Sequence, residues 1–434
     1  NVSDWANDSV TARFGEEGDQ EPYVSFVKHY TSKPVVGVGR FTSPDAMVTQ
    51  IQRGVLDMIG AARPSIADPF LPSKIEQGRL EDIRECIGCN ICVASDWTQS
   101  PIRCTQNPTM GEEWRRSWHP ESMNERGASK TVLVVGAGPA GLEAAMSLGR
   151  RGYDVALADR TEGGGRAVAE AQLPGLASYQ RVADYRLGQI GRSANVRFYP
   201  GSEMDASSIC EFGADHVAIA TGAQWRRDGM GRATWQPVAG CETHPALYTP
   251  DDIIAGQRPE RGPVLVYDDD HYYLGGVIAE LLAETGLAVT LVTPGPEVSH
   301  WTQNTMEQHR IEQRLLEMGV MLVCKQTLAA VSPVQVQTRC NVTGRMQQRD
   351  AVSLVLVTIR APEDALYFAV AGQDEAQLAD LPFTLMRIGD CMAPSTIAQA
   401  VYDGHRFARE IDERPDPDAV PFRREQSLIE SGNS

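Results

Sequence analysis

The chain has 434 residues, 42% of them hydrophobic and 22% charged, with a formal net charge of −17 at pH 7 and a pI near 5.0. That length provides for two or three domains with cores of their own, and the acidic balance argues against nucleic acid, whose affinity comes from Lys and Arg neutralising phosphates. The most apolar runs, such as TVLVVGAG and VSLVLVTI, fall well short of a membrane span, so no membrane role is expected.

Residue 1 is asparagine, and NVSDWANDSV has neither the basic start nor the apolar middle of a signal peptide. The chain is therefore expected to begin inside a longer protein. A tryptophan such as Trp5 or Trp97 is more often core than ligand. An aromatic set around an amine, with Asp8 close by, would instead use the cation–π attraction that favours alkylammonium groups.

The first strand is expected in PVVGVGRF (34–41), followed by a helix with apolar Met47, Ile51 and Val55 and a second strand in MIGAARPSI (58–66). Each strand leads into a glycine and an arginine, Gly39 and Arg40 on one, Gly60 and Arg63 on the other. These are placed where α/β folds bind phosphates. The last two strands of a barrel would look like this, and about three-quarters of such a barrel must then lie upstream or on another chain.

Next comes RECIGCNICVASDWTQSPIRC, with Cys86, Cys89, Cys92 and Cys104 spaced C-x2-C-x2-C-x11-C. Three thiols in seven residues can wrap one face of a cubane and leave a distant fourth to close it, whereas zinc sites normally use two separate hooks. The expected occupant is a [4Fe-4S] cluster, with zinc and inert or disulfide cysteines as the alternatives. The other cysteines (210, 241, 324, 340, 391) are scattered, as free thiols in a reducing compartment would be, and the cytoplasm is the expected location.

At 131 a doubly wound unit opens: strand, GAGPAG turn, helix, strand. Gly136, Gly138 and Gly141 would allow a tight turn and close approach of a pyrophosphate to a helix N-terminus, and Asp159 would accept from ribose hydroxyls. ATG (220–222, with Thr221 and Gly222) and IGD (388–390, with Gly389 and Asp390) suit the flavoprotein variant of this fold, and Arg166 is expected beside the nucleotide. A second such unit begins at PVLVYDDDHYYLGG, but Asp268, Asp269 and Asp270 stand where a dinucleotide turn needs glycines. Carboxylates there repel a pyrophosphate, so a solvated acidic loop is expected and NAD(P)H is not. A final strand and helix in 387–411 return to the first unit, and a polar tail follows.

Over essentially its whole length the sequence resembles the C-terminal part of the trimethylamine dehydrogenase family, which includes histamine and dimethylamine dehydrogenases and dimethylglycine-type N-demethylases, with dienoyl-CoA reductase more distant. The stretches that carry this are VGVGRFTSPDAM, GAARPSIADPFLPSKIEQGRLEDIRECIGCNIC, CTQNPTMGEEWRRSWHPE, GAGPAGLEAA, IATGAQW and IGDCMAP.

The resemblance implies an α/β chain in four parts. Residues 1–85 would be the end of an old-yellow-enzyme-like FMN barrel, and 86–130 a [4Fe-4S] segment held by the four cysteines. Residues 131–250 plus 385–434 would bind ADP or FAD, and 251–384 would be a degenerate NAD(P)-type domain. FMN would lie with its phosphate near Gly39, Arg40, Gly60 and Arg63. Trp5 and Asp8 fall where the family places an aromatic substrate wall and an active-site acid, and Trp97 near a second wall residue. Ile359 replaces a usual glycine, which again argues against NAD(P)H.

The implied activity is oxidation of a small methylated amine, with electrons passing through the cluster to an electron-transfer flavoprotein or ferredoxin, in a homo-oligomer. An NAD(P)H-dependent ene-reductase and a non-catalytic electron-transfer subunit are the alternatives.

Overall fold

The computed structural model describes residues 9–115, 117–125, 130–372 and 378–413. A short parallel ladder opens it: β1 (Val36–Gly37) pairs with β2 (Met58–Ile59), Val36 against Met58 and Gly37 against Ile59, and α1 (Pro44–Gln52) crosses between them. Pro44 starts that helix because its fixed φ suits the first helical position and its missing N–H would have had no partner there. Met47 on its inner face buries with Val35, Phe41 and Leu56.

The expected strands are each cut to two residues. Residues 62–67 of the second form a helix, α2 (Ala62–Ala67), because Pro64 cannot donate to a sheet ladder yet is tolerated in a first helical turn. Gly60 therefore ends a strand, and Arg63 belongs to a helix.

The cysteine segment follows and contains α3 (Ile91–Trp97). It is packed in on several sides: Ile87 joins the same buried cluster as Tyr179, Tyr273 and Val277, and the Ala12 N–H donates to Gly88 O at 3.0 Å. A buried ion pair, Arg13 to Glu280 at 2.6 Å, ties the segment before α1 to the far domain.

The first α/β unit holds β3 (Thr131–Val135), α4 (Pro139–Arg150), β4 (Asp154–Ala158), α5 (Gly165–Ala171), α6 (Arg181–Gly191), β5 (Val196–Tyr199) and β6 (His216–Ile219). Its strands read as unbroken apolar runs such as TVLVV, as they must when helices cover both faces of a parallel sheet. The chain then leaves through β7 (Ala223–Trp225) into β8 (Leu247–Tyr248), β9 (Val264–Asp268), α7 (Tyr273–Glu284), β10 (Val289–Val292) and β11 (Met321–Val323).

An antiparallel trio follows, β12 (Gln326–Ser332), β13 (Gln335–Cys340) and β14 (Met346–Asp350), before β15 (Ser353–Val357) completes the second parallel sheet. The return runs through β16 (Arg360–Pro362), which pairs antiparallel with β7 as Arg360 to Trp225 and Pro362 to Ala223. β17 (Thr384–Arg387) and α8 (Ile397–Glu410) finish the first unit. The sheet orders are β17-β6-β3-β4-β5 and β11-β10-β9-β15-β8, parallel throughout.

Both expected boundaries of the second unit shift. It starts before residue 251, because β8 supplies the edge strand beside β15. The return comes before 385, because Val370 and Ala371 bury against Leu133 and Val217 of the first sheet. α8 lies directly on α4, where a Cβ on Gly404 would meet Ala140 O at 2.1 Å, so only glycine permits the contact. Among the described residues no helix is long and apolar enough to cross a membrane. The polar tail, 414–434, lies outside the described residues.

Candidate functional site

The glycine turn between β3 and α4 is built as a pyrophosphate turn requires. Gly136 has φ 107° and sits so close to β6 that a Cβ would meet Ala220 O at 2.3 Å. Gly141 packs the first turn of α4 onto Gly136 O, where a Cβ would lie at 1.8 Å. A cavity of about 330 Å³ opens over this turn, lined by Gly136, Gly138, Asp159, Arg166, Thr221, Gly222 and Asp390. That volume suits a nucleotide.

Gly141 and Gly389 stand behind the cavity as packing residues, Gly389 at φ 64° with its Cβ position 2.5 Å from Ala140 Cβ. Asp159 accepts from Ala137 N at 2.6 Å and, through its other oxygen, from Thr161 N and Oγ1, both at 2.7 Å. It thereby locks the glycine turn to the end of β4 while one edge still faces the cavity.

The cavity is closed at one end by a buried charge cluster. Arg166 donates to Asp390 Oδ2 at 2.8 Å and to Ser395 O at 2.7 Å, and Arg360 donates to the same two acceptors. Burial would raise the pKa of Asp390, but Arg166 and Arg360 hold it below the usual carboxylate range. Arg166 Nε also meets Glu170 at 3.0 Å, and Glu170 in turn accepts from the Tyr273 hydroxyl. Beyond lies a second cavity of about 280 Å³ lined by Trp225, Tyr272, Trp301, Asp270 and Arg360. Arg360 and Glu170 escaped the sequence reading. The one signal for Arg360 was its position next to Ile359, where the usual glycine is missing.

The acidic turn of the second unit is not solvated. Asp268 and Asp269 are fully buried. Asp268 Oδ1 accepts from the N–H groups of Asp270 (3.2 Å) and His271 (3.0 Å), and Asp269 Oδ2 accepts from Ala233 N at 2.8 Å. Burial pushes Asp268 up to about 7. The carboxylates take backbone donors that a bound phosphate would use, so the turn is filled by its own side chains.

Cys86, Cys89, Cys92 and Cys104 line one small cavity together with Arg63, Asn90, Thr105 and Gln106. Among the described residues no three His, Cys, Asp or Glu side chains converge tightly enough for a single metal ion. Four thiols that share one cavity fit a cubane, which takes one thiolate at each corner. Burial pushes Cys89 up to about 12 and Cys104 to about 11, and raises Cys92 as well. As free groups they would stay protonated, and thiolate ligation there needs a cationic occupant. The Gly88 N–H already points at Cys86 Sγ (3.3 Å) and Thr105 Oγ1 lies 3.2 Å from Cys89 Sγ.

On the barrel side, Gly18 N–H donates to Gly39 O at 2.9 Å, and Gly60 N–H to Gly37 O at 2.7 Å. Arg40 is buried at φ 52°; its Nη2 donates to Gly15 O at 2.5 Å, while its Nε is buried without a partner. An orphaned guanidinium nitrogen beside two strand ends fits the phosphate of FMN. Arg63 lines the cysteine cavity and donates to Asn90 Oδ1 at 2.7 Å. Trp97 ends α3 and is 59% exposed. Trp5 and Asp8 lie outside the described residues.

The chain is similar to known proteins. Residues 2–82 match the NADH:flavin oxidoreductase / NADH oxidase family, 130–247 the pyridine nucleotide-disulphide oxidoreductase family, and 248–349 the OYE-like second alpha/beta domain. Dimethylamine dehydrogenase of Hyphomicrobium sp. (strain x) is 35% identical over 98% of this chain and 61% of its own. Histamine dehydrogenase from Rhizobium sp. 4-9 superposes with a TM-score of 0.94 and 50% identity, over 98% of this chain and 62% of its own. The 6-hydroxypseudooxynicotine amine oxidase of Pseudomonas geniculata N1 gives 0.91 and 50%, over 95% of this chain and 61% of its own. The chain thus spans about three-fifths of each of these relatives.

Proposed function

We propose, from this chain's homology to dimethylamine dehydrogenase and histamine dehydrogenase, that it is part of a flavoprotein that oxidises a small methylated amine and delivers the electrons one at a time to another protein. The observation that carries the reading is the placement of four thiols around one cavity, packed against a barrel end with an orphaned arginine nitrogen.

FMN, when bound, supplies the two-electron oxidation of the carbon next to nitrogen, and a [4Fe-4S] cluster supplies single-electron transfer. The chain's residues provide the setting. Gly39, Arg40 and Gly60 hold the phosphate, and Cys86, Cys89, Cys92 and Cys104 supply the cluster thiolates. Trp5 provides a face for an alkylammonium group, Asp8 holds or takes its proton, and Trp97 adds to the wall. The overall change removes two electrons and two protons from the C–N unit, and water completes hydrolysis to an aldehyde and the smaller amine.

Gly136, Gly138 and Asp159 hold an adenine nucleotide. That nucleotide is ADP or the ADP half of FAD, with Arg166 and Asp390 at the edge of the same cavity. The acceptor is an electron-transfer flavoprotein or ferredoxin. Direction comes from the second unit: with Asp268 and Asp269 filling the dinucleotide turn, NAD(P)H has no place to donate from. Anaerobic mixing of the full-length protein with trimethylamine, dimethylamine and histamine should bleach the flavin with at least one amine, and NADPH should leave it oxidised. Bleaching by NADPH and by no amine would replace this reading with the ene-reductase.

A further inference from the structure

The cysteine cavity has a cationic wall to which the reaction above gives no role. Arg63, in the first turn of α2, donates from Nη1 to Ser9 O (3.3 Å), Val10 O (2.9 Å) and Asn90 Oδ1 (2.7 Å). Asn90 stands between Cys89 and Cys92 in the left-handed region, φ 56°, and is itself fixed by donating to Ser9 O and to Thr305 O. The guanidinium is therefore pinned against the cysteine loop, and it lines the same cavity as the four thiols. Arg40 backs the same loop, its Nη1 lying 2.9 Å from where a Cβ on Gly88 would be.

We propose that Arg63 sets the reduction potential of the cluster held by Cys86, Cys89, Cys92 and Cys104, a role distinct from binding the flavin phosphate. The inference rests on the reading that these thiols carry a [4Fe-4S] cluster. The step concerned is the gain of one electron from a reduced flavin, with no bond made and no proton taken up, so the net negative charge of the thiolate-bound cluster grows by one. A fixed positive charge at its wall stabilises the more negative form, and the surrounding protein, with its low polarisability, screens that attraction weakly. Arg63 thus makes the cluster a better electron acceptor than it would be without that charge.

The test is a redox titration of the full-length holoprotein, followed by the paramagnetic resonance signal of the reduced cluster, on wild type, Arg63→Lys and Arg63→Gln, with iron and FMN counted in each. Arg63→Gln is expected to lower the midpoint potential while keeping its iron, and Arg63→Lys to stay near wild type. An unmoved potential in Arg63→Gln overturns the proposal, as does a fall in Arg63→Lys equal to that in Arg63→Gln, since charge would then not be the cause. FMN loss with an unmoved potential overturns it too and returns Arg63 to the phosphate. If Arg63→Gln cannot hold its cluster, Arg63→His decides: its potential should fall as pH rises through the imidazole's titration, and a profile as flat as wild type overturns the proposal. A wild-type protein that never carries iron removes the underlying reading and the inference together, whereas an intact cluster with an indifferent potential removes the inference alone.

Discussion

Serine in place of Cys92 will strip the cluster and its brown absorbance while leaving the fold in place. Cys92 is the third thiol of the wrap and lies in the first turn of α3, its sulfur confined to the cavity shared with Cys86, Cys89 and Cys104. A serine oxygen is a harder donor with a shorter reach, and three remaining thiols leave one corner of the cubane open. Electron delivery to a one-electron acceptor should fall by more than the roughly 10–100-fold that a metal site loses with an outer hydrogen-bond partner. Amine-driven bleaching of the flavin, which precedes the relay, should survive. Iron assay and two-phase kinetics check this. A Cys92→Ser protein with full iron and full acceptor turnover would show that the four cysteines do not act as one ligand set.

The second large effect is on stability. Arg186 is buried and fully engaged: Nε donates to Glu143 Oε2 (2.8 Å), Nη1 to Gln106 Oε1 (2.9 Å) and Val182 O (2.8 Å), and Nη2 to Gln106 O (3.1 Å). It joins α6, the nucleotide helix α4 and the loop just after Cys104. Glu143 also accepts from His405 Nδ1 at 2.8 Å, whose Nε2 accepts from Arg409 Nε.

Arg186→Met leaves Glu143 buried without its main partner and should cost about 3–5 kcal/mol, seen as a lower midpoint in thermal or urea unfolding. Replacing Glu143 by Leu as well should restore part of the loss, because an apolar pair avoids the uncompensated charge. A double variant no better than Arg186→Met would mean that the hydrogen bonds to Gln106 and Val182, and not the ion pair, carry the effect.

The same pair sets an acid limit. Burial alone would raise Glu143, but Arg186 and His405 hold it at about 2 against an ordinary 4.5. A carboxyl depressed on folding stabilises fully above its unfolded value and loses that contribution as pH falls through the folded one. Wild type should therefore lose stability between these two values, and this component should be smaller in Arg186→Met, where His405 alone remains to hold Glu143 down.

What the sequence made legible follows from how strictly each site constrains residue type. A pyrophosphate turn admits almost nothing but glycine at Gly136 and Gly141, so GAGPAG can be read directly, with Asp159 at the end of the next strand. The cysteine spacing is equally restrictive.

Three features were not legible, each because it depends on contacts that the residue pattern does not announce. Asp390 meets Arg166 across 224 positions, and nothing in IGD announces a second arginine at 360. Asp268 and Asp269 read as an exposed acidic run, since their burial is paid for by backbone N–H groups, one of them on Ala233. Arg63 reads as a strand-end residue, whereas it lies on a helix where a strand was expected and is tethered to Asn90. Trp5 and Asp8 lie outside the described residues, so the substrate wall rests on sequence alone.

A one-electron relay between an amine-oxidising flavin and another protein requires both redox groups in one molecule, and a cofactor inventory of the purified full-length protein shows whether they are there. The predicted result is about four irons, about one FMN and about one adenine nucleotide, ADP or FAD, per chain. A colourless protein, or one carrying zinc and no flavin, would contradict it.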